Sequence, residues 1–336
     1  MKHVVYWISR ALRTIENPAL IAAQQEALQR QEPLVLFFNL YPDFPHANTS
    51  NMDFLLKGLA EVSEKLKTHH IPTIFMEGDA LVNLQKLHDQ LDISLLITEH
   101  NPLRPVKTVH QNVGEWAASQ SIRFIRVNTA CVIPVWDASP KLEFSAKTLR
   151  NKLMSRYEGY LAPSVPVIDH TYTALVDSVF TSRDAQNALS DRSWPTLSLS
   201  ELIPGEEAAN RVLEDFIRHK LDAYDRRNEI DSQGQSHLSA YLHFGMISPV
   251  KMIREVKNTN HANAPLFIEE AMVRRELAEN FVHYCEAYDS FQGAWPWAQA
   301  SLNAHRNDPR PYLYTLEHIE KAETQDELWN ACHTMV

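Results

Sequence analysis

The first 130 residues alternate short apolar runs with longer amphipathic stretches. Apolar runs at 3–8, 33–40, 71–77, 93–98 and 122–128 read as strands, and stretches at 17–31, 52–69, 79–91 and 106–120 read as helices. In the second of those helices Leu55, Leu56, Leu59, Val62 and Leu66 recur at helical spacing. The strand runs are apolar at consecutive positions, as in strands covered on both faces. Such strands separated by helices predict a parallel, doubly wound sheet. A plain scaffold and a ligand-binding sheet fit this pattern equally.

Further along the period changes. From Glu206 onward nearly every segment has a helical period and none alternates convincingly with a period of two. Between the two regions lie Pro134, Pro140, Pro163, Pro166, Pro195 and Pro204, which read as a connection with some helix at 145–161. The expected fold class is α/β plus all-α: an α/β domain at 1–130, an interdomain connection at 131–204 and a helical domain at 205–336.

With 336 residues, 44% of them hydrophobic, the chain can fill two cores and is too apolar for a disordered protein. No run nears the roughly 20 apolar residues of a membrane helix, so no membrane partner is expected. The start MKHVVYWISR is too short for a signal peptide. Cys131, Cys285 and Cys332 are odd in number and far apart, which gives no disulfide framework and points to the cytoplasm. Net charge is −10; residues 1–150 hold 15 basic and 15 acidic side chains, the remainder 17 and 27, so bulk charge lends nothing to nucleic-acid binding. The eight glycines, at 58, 78, 114, 159, 205, 234, 245 and 293, never lie closer than eleven residues. That spacing excludes both G-x-G-x-x-G and G-x-x-x-x-G-K phosphate loops. No G-x-S-x-G and no metal-ligand spacing of His or Cys occurs, so no metal is expected.

Two local patterns carry candidate chemistry. In the run from Gln235 to Gly245, Ser236 suits an N-cap and Gly245 a C′ position; Ser248-Pro249 then restarts a helix. Ser236 and Ser239 with free backbone N–H groups suit phosphate oxygens, and ordinary capping explains the same residues. The stretch 266–288 is a long helix on which Glu270 and Arg274, and Arg275 and Glu279, are four apart and can pair. A solvated charged face is the plain reading. Phe267, Ala271, Leu277, Phe281 and Tyr284 leave no clean polar side, which puts some charges near the buried face.

Four strings, SHLSAYLHFGMIS, FIEEAMVRRELAENFVHY, YDSFQGAWPWA and LNAHRNDPRPYLYTLEHIEKAETQDELWNA, resemble in content, order and spacing the class II photolyases. Those are flavoproteins of the photolyase/cryptochrome family that use light to reverse cyclobutane pyrimidine dimers in DNA. VVYWISRALR, PDFPHAN and TACVIPVWDAS resemble the family's N-terminal text, so the likeness spans essentially the whole chain. It implies an α/β domain followed by a helical domain that holds reduced FAD in a bent form, its phosphates on a serine-rich helix start. By that resemblance Tyr224, Gln235, Ser236, His237, Leu238 and Ser239 bind the FAD diphosphate and Arg275 lies beside the flavin. Glu270 contacts the flipped-out dimer and steadies its radical anion, Arg274 walls the dimer pocket, and Trp329 belongs to the tryptophan relay that photoreduces the flavin. The implied partner is UV-damaged DNA, met by a monomer; the antenna chromophore stays unassigned.

Family text continues past the place of Val336 with a Gly-Lys-Met-His-Gly motif and further relay tryptophans, so the chain reads as truncated at its C-terminus. On that reading helices at 206–228 and 266–288 are expected to lack cover and flavin to be held poorly. Three functions follow: a light-driven deoxyribodipyrimidine photolyase (a carbon–carbon lyase), a truncated homologue without repair activity, and a cryptochrome-like blue-light sensor. The presence of Glu270, and nothing resembling a signalling tail, weigh against the third.

Overall fold

A computed structural model describes residues 1–44, 47–190, 194, 202–229 and 233–335; Pro195 of the connection and the Pro45-His46 pair of PDFPHAN lie outside the described residues. Five strands, β1 His3–Ile8, β2 Leu34–Leu40, β3 Thr73–Glu77, β4 Ile93–Glu99 and β5 Arg123–Val127, form one parallel sheet in the order β3-β2-β1-β4-β5. Helices α1 Pro18–Arg30, α2 Thr49–Thr68, α3 Ala80–Leu91 and α4 Arg104–Ser119 make the crossovers. Every residue of β1 and β2 is buried, which is why both runs read as continuously apolar. Alternation sorts their side chains: Val4, Tyr6 and Ile8 enter a core with α1 and α2, while Val5 and Trp7 enter a second core with α3 and α4.

Caps move the boundaries. The Asn48 side chain accepts from Asn51 N and starts α2 three residues earlier than periodicity suggests. Asn17, accepting from Ala19 N and Leu20 N ahead of Pro18, fixes the start of α1. β3 starts at Thr73 rather than 71, because Ile71 N is spent on Leu66 O at the end of α2 and Pro72 has no N–H to give.

The chain divides into two compact units, Met1–Tyr284 and Cys285–Val336. In the first, the connection forms the helix Ala146–Met154, a 3-10 turn at Tyr157–Tyr160 and a helix Ser182–Ser190 that lies against α2. The helices that follow share the core on one face of the sheet. Lack of cover on 206–228 and 266–288 is not what the structure shows. Leu213, Phe216, Leu221, Tyr224, Phe267, Ile268, Met272 and Val273 are all buried. Their faces cover each other, with Phe216 and Tyr224 at 4.9 and 5.4 Å from the Phe267 ring.

The helix Arg275–Tyr284 has two working sides. Along one, Glu276 accepts from Val132 N (2.5 Å), Asn280 accepts from Glu143 N (2.8 Å) and donates to Lys141 O (3.0 Å), and the Tyr284 hydroxyl donates to Ser139 O (2.7 Å). These side chains, at i, i+4 and i+8, satisfy the Val132 and Glu143 N–H and the Ser139 and Lys141 C=O groups on either side of the short helix Val135–Ala138. Along the other, Arg275 donates to Ala130 O, Glu279 pairs with Arg10 (2.5 Å) and His283 meets the His100 ring at 5.1 Å, which ties the helix to the ends of β1 and β4.

The second unit holds the helices Pro296–Ala304, Leu316–Glu320 and Glu327–Met335. None of its described residues is buried. No helix among the described residues is long and apolar enough to cross a membrane.

Candidate ligand-binding cleft

A cleft of about 500 Å³ opens among the helices of the first unit. One wall carries Tyr224 and Arg227, the facing segment Gln235, Ser236, His237 and Ser239, and Glu270 completes it. The volume is that of a small-molecule site.

Local backbone builds the facing segment. Gly234 packs so tightly on the Ala223 carbonyl that a Cβ there would collide with it, so glycine lets the segment approach the Tyr224 turn. His237 sits in the left-handed region (φ 55°), a strain that non-glycine residues accept rarely and that clusters at functional sites. That bend also corrects the expected cap. The helix begins only at Ser239, running to His243 with Leu238 at its cap, and the Ser236 hydroxyl instead accepts from Leu238 N at 3.4 Å. Gly245 takes the expected left-handed conformation after this helix (φ 66°), and Ser248 caps Pro249–Asn258 by accepting from Lys251 N.

Glu270 lies in a π-helical turn, Glu269–Arg274, joined to α-helix on both sides. Here i and i+5, not i and i+4, come face to face. The expected Glu270–Arg274 pair therefore fails, and Arg275 and Glu279, on the α-helix beyond, are claimed by other partners. Arg274 meets Glu269 at 3.4 Å, and Glu270 pairs with Arg227 at 3.0 Å. Arg275 turns inward to the carbonyls of Ala130 and Ala271, leaving Glu279 to Arg10. Glu269 is held below the ordinary carboxylate range by its hydrogen bond from Arg150, at 2.6 Å to Nη2.

Next to the π turn the electrostatics invert. Burial pushes the Glu276 carboxyl up to about 7, against the pull of Arg275 and the Val132 N–H, and its Oε2 has no partner among the described residues. Burial would also raise Glu279, but the Arg10 guanidinium carries it below its usual value. Burial, then the neighbouring His283, lowers His100 to about 4. Burial raises the Tyr224 phenol, whose hydroxyl has no hydrogen-bond partner among the described residues.

Of the residues singled out in the sequence, the structure gathers Tyr224, Gln235, Ser236, His237, Ser239 and Glu270 around one cleft. It does not place the others on its lining. The Leu238 side chain is sunk in the core and anchors the segment. Arg274 is half exposed beside Glu269, and Arg275 faces backbone carbonyls. Trp329 lies in the second unit on Glu327–Met335, stacked on His333 with ring centroids 4.8 Å apart. The sequence reading noted Arg227-Asn228 as the family's Arg-Asn pair after Tyr224 but gave Arg227 no role; the 3-10 turn Leu221–Arg226 makes it a stacking neighbour of that tyrosine, with the guanidinium 5.0 Å over the ring.

A five-stranded parallel sheet followed by helices is an architecture shared with known photolyases. A solved structure of an archaeal photolyase from Sulfolobus tokodaii, with two FAD molecules, superposes with a TM-score of 0.73 over 100% of this chain and 70% of its own, at 14% identity, and so shows the common fold. In sequence, the DNA photolyase family model matches residues 4–167. A deoxyribodipyrimidine photo-lyase of Arabidopsis thaliana is 35% identical over 340 residues, 98% of this chain and 68% of the relative. One from Potorous tridactylus is 35% identical over 336 residues, 97% of this chain and 62% of the relative. The chain belongs to the DNA photolyase family, and it spans about two thirds of the length of these curated relatives.

Proposed function

We propose that this chain is a deoxyribodipyrimidine photo-lyase of the class II type, acting as a monomer on cyclobutane pyrimidine dimers in UV-damaged DNA. The observation that carries the reading is the Glu270 carboxylate and the Gln235–Ser239 segment lining the same cleft. The polar atoms there suit FAD: the Tyr224 and Ser239 hydroxyls make no hydrogen bond among the described residues, and Ser236 and His237 add capacity to donate to phosphate oxygens. When bound, reduced FAD supplies the light-driven electron that splits the dimer. The chain's own residues bind and orient. Tyr224, Gln235, Ser236, His237, Ser239 and the Leu238 backbone would hold the diphosphate, and Arg275, now on the Ala130 and Ala271 carbonyls, would supply positive charge to the flavin. Glu270 receives the dimer after it leaves the duplex, a step that costs only a few kcal/mol at damaged bases. Arg274, half exposed, would meet the DNA substrate, and Trp329 would belong to the tryptophan relay.

The test is the purified chain with added FAD, reductant and blue light. A bound-flavin absorption band that photoreduces, together with light-dependent loss of dimers from an oligonucleotide, is the expected result. A colourless protein that takes up no FAD and leaves dimers intact overturns the reading.

A further inference from the structure

Two polar atoms on consecutive residues are buried without a hydrogen-bond partner among the described residues: Arg275 Nη2, a donor, and Glu276 Oε2, an acceptor. The two groups could satisfy each other, yet they stay apart, with Nη2 standing 3.9 Å from Glu276 Oε1. Arg275 is held by carbonyls instead, Nε donating to Ala271 O at 3.0 Å and Nη1 to Ala130 O. Ala271 directly follows Glu270 of the cleft lining, so the guanidinium turns back toward the cleft wall with no hydrogen-bonded counter-charge.

The Glu276 side chain is closed off from water. The Val132 and Ile133 N–H groups and the buried Cys131 thiol face it from the connection, and Arg275 and Glu279 from its own helix. Burial keeps Cys131 a neutral thiol, and Glu279 carries the same charge as Glu276 and is given to Arg10 at 2.5 Å. Arg275 is therefore the one cation of this group left for Glu276 to draw on. A carboxyl so placed has two states: protonated, it leaves Arg275 to the carbonyls; ionised, it attracts the guanidinium. Burial brings the change-over to about 7. Resting on the photolyase reading above, we propose that Glu276 is a positioning residue that acts through Arg275 on the anionic FAD of the cleft. With its proton, Glu276 leaves the guanidinium charge to the ligand. Without it, Glu276 claims that charge, and the ligand is held less tightly. Binding then takes up a proton, so affinity is full below pH 7 and falls as pH rises through about 7. A coupling of about tenfold is of the size usual between two interacting groups.

The readout is the dissociation constant of oxidised FAD from the full chain, measured by flavin fluorescence at about pH 6 and about pH 8.5, on either side of the change-over. The parent is expected to lose about tenfold in affinity between the two. Glu276→Gln, neutral at both, is expected to bind nearly as well at the higher pH as at the lower, and Arg275→Gln to bind weakly at both. The His237 imidazole also lines the cleft, and any slope it adds survives in Glu276→Gln, so the difference between the two profiles is the measure. Should Glu276→Gln fail to fold, the buffer dependence of the binding heat at about pH 7.5 counts the protons taken up. The parent is expected to take up more than Arg275→Gln. Equal slopes in the parent and Glu276→Gln, or equal uptake in the parent and Arg275→Gln, overturn the proposal and leave the photolyase reading standing. A parent that binds no FAD even at the lower pH removes both.

Discussion

In Met1–Tyr284, side chains distant in sequence meet: Arg10 with Glu279, Arg227 with Glu270, Phe216 with Phe267. In Cys285–Val336 the contacts are of a different kind. Thr315 caps His318 N, Thr324 bonds Asn330 at 2.7 Å, and Gln325 N reaches the Tyr314 hydroxyl at 3.3 Å, while Leu313 stands 85% exposed. Helices of five to nine residues, as here, are marginal in water without a packed face. The contrast teaches where substitutions should be felt. The first unit stands on buried area, the second on caps and turns.

The strongest challenge to that contrast is Phe267→Ala. The ring fills the space between Phe216 and Tyr224, so its loss should cost about 3–5 kcal/mol in denaturant unfolding of the full chain. Glu276→Gln probes the electrostatic part of the same unit. A carboxyl whose folded value is about 7 instead of about 4.5 holds its proton in the folded state, so the parent loses stability as pH rises from about 4.5 to 7. The variant should match the parent near pH 4.5 and exceed it by about 3 kcal/mol above pH 7. Parallel thermal melts at the two pH values measure this, and equal differences at both would remove Glu276 as the source. The smallest effect belongs to Leu313→Ser in the second unit, expected within about 0.5 kcal/mol. A cost comparable to that of Phe267→Ala would erase the distinction between the units.

The central strands were legible because both of their faces are buried, and burial writes itself into consecutive apolar residues. The residues of the cleft were legible through family resemblance, which supplied Tyr224, the Gln235–Ser239 run and Glu270. What stayed hidden depends on tertiary context. A π turn has no signature in apolar spacing, so the charged helix was paired in the wrong register, and Arg227, 43 residues from Glu270, could not be matched to it by any local pattern. The left-handed His237 likewise shifted a cap that the serine alone made plausible.

The backbone at 132–143 is completed by side chains near residue 280. During synthesis, the Val132 and Glu143 N–H and the Ser139 and Lys141 C=O groups leave the ribosome with their partners still more than a hundred residues downstream. At roughly 5–20 residues per second, the wait is on the order of ten seconds. The sheet can pair its strands in that interval, yet its C-terminal border stays open until the last helix of the first unit arrives. Translation speed across 144–284 therefore sets how long these four backbone groups wait for their partners.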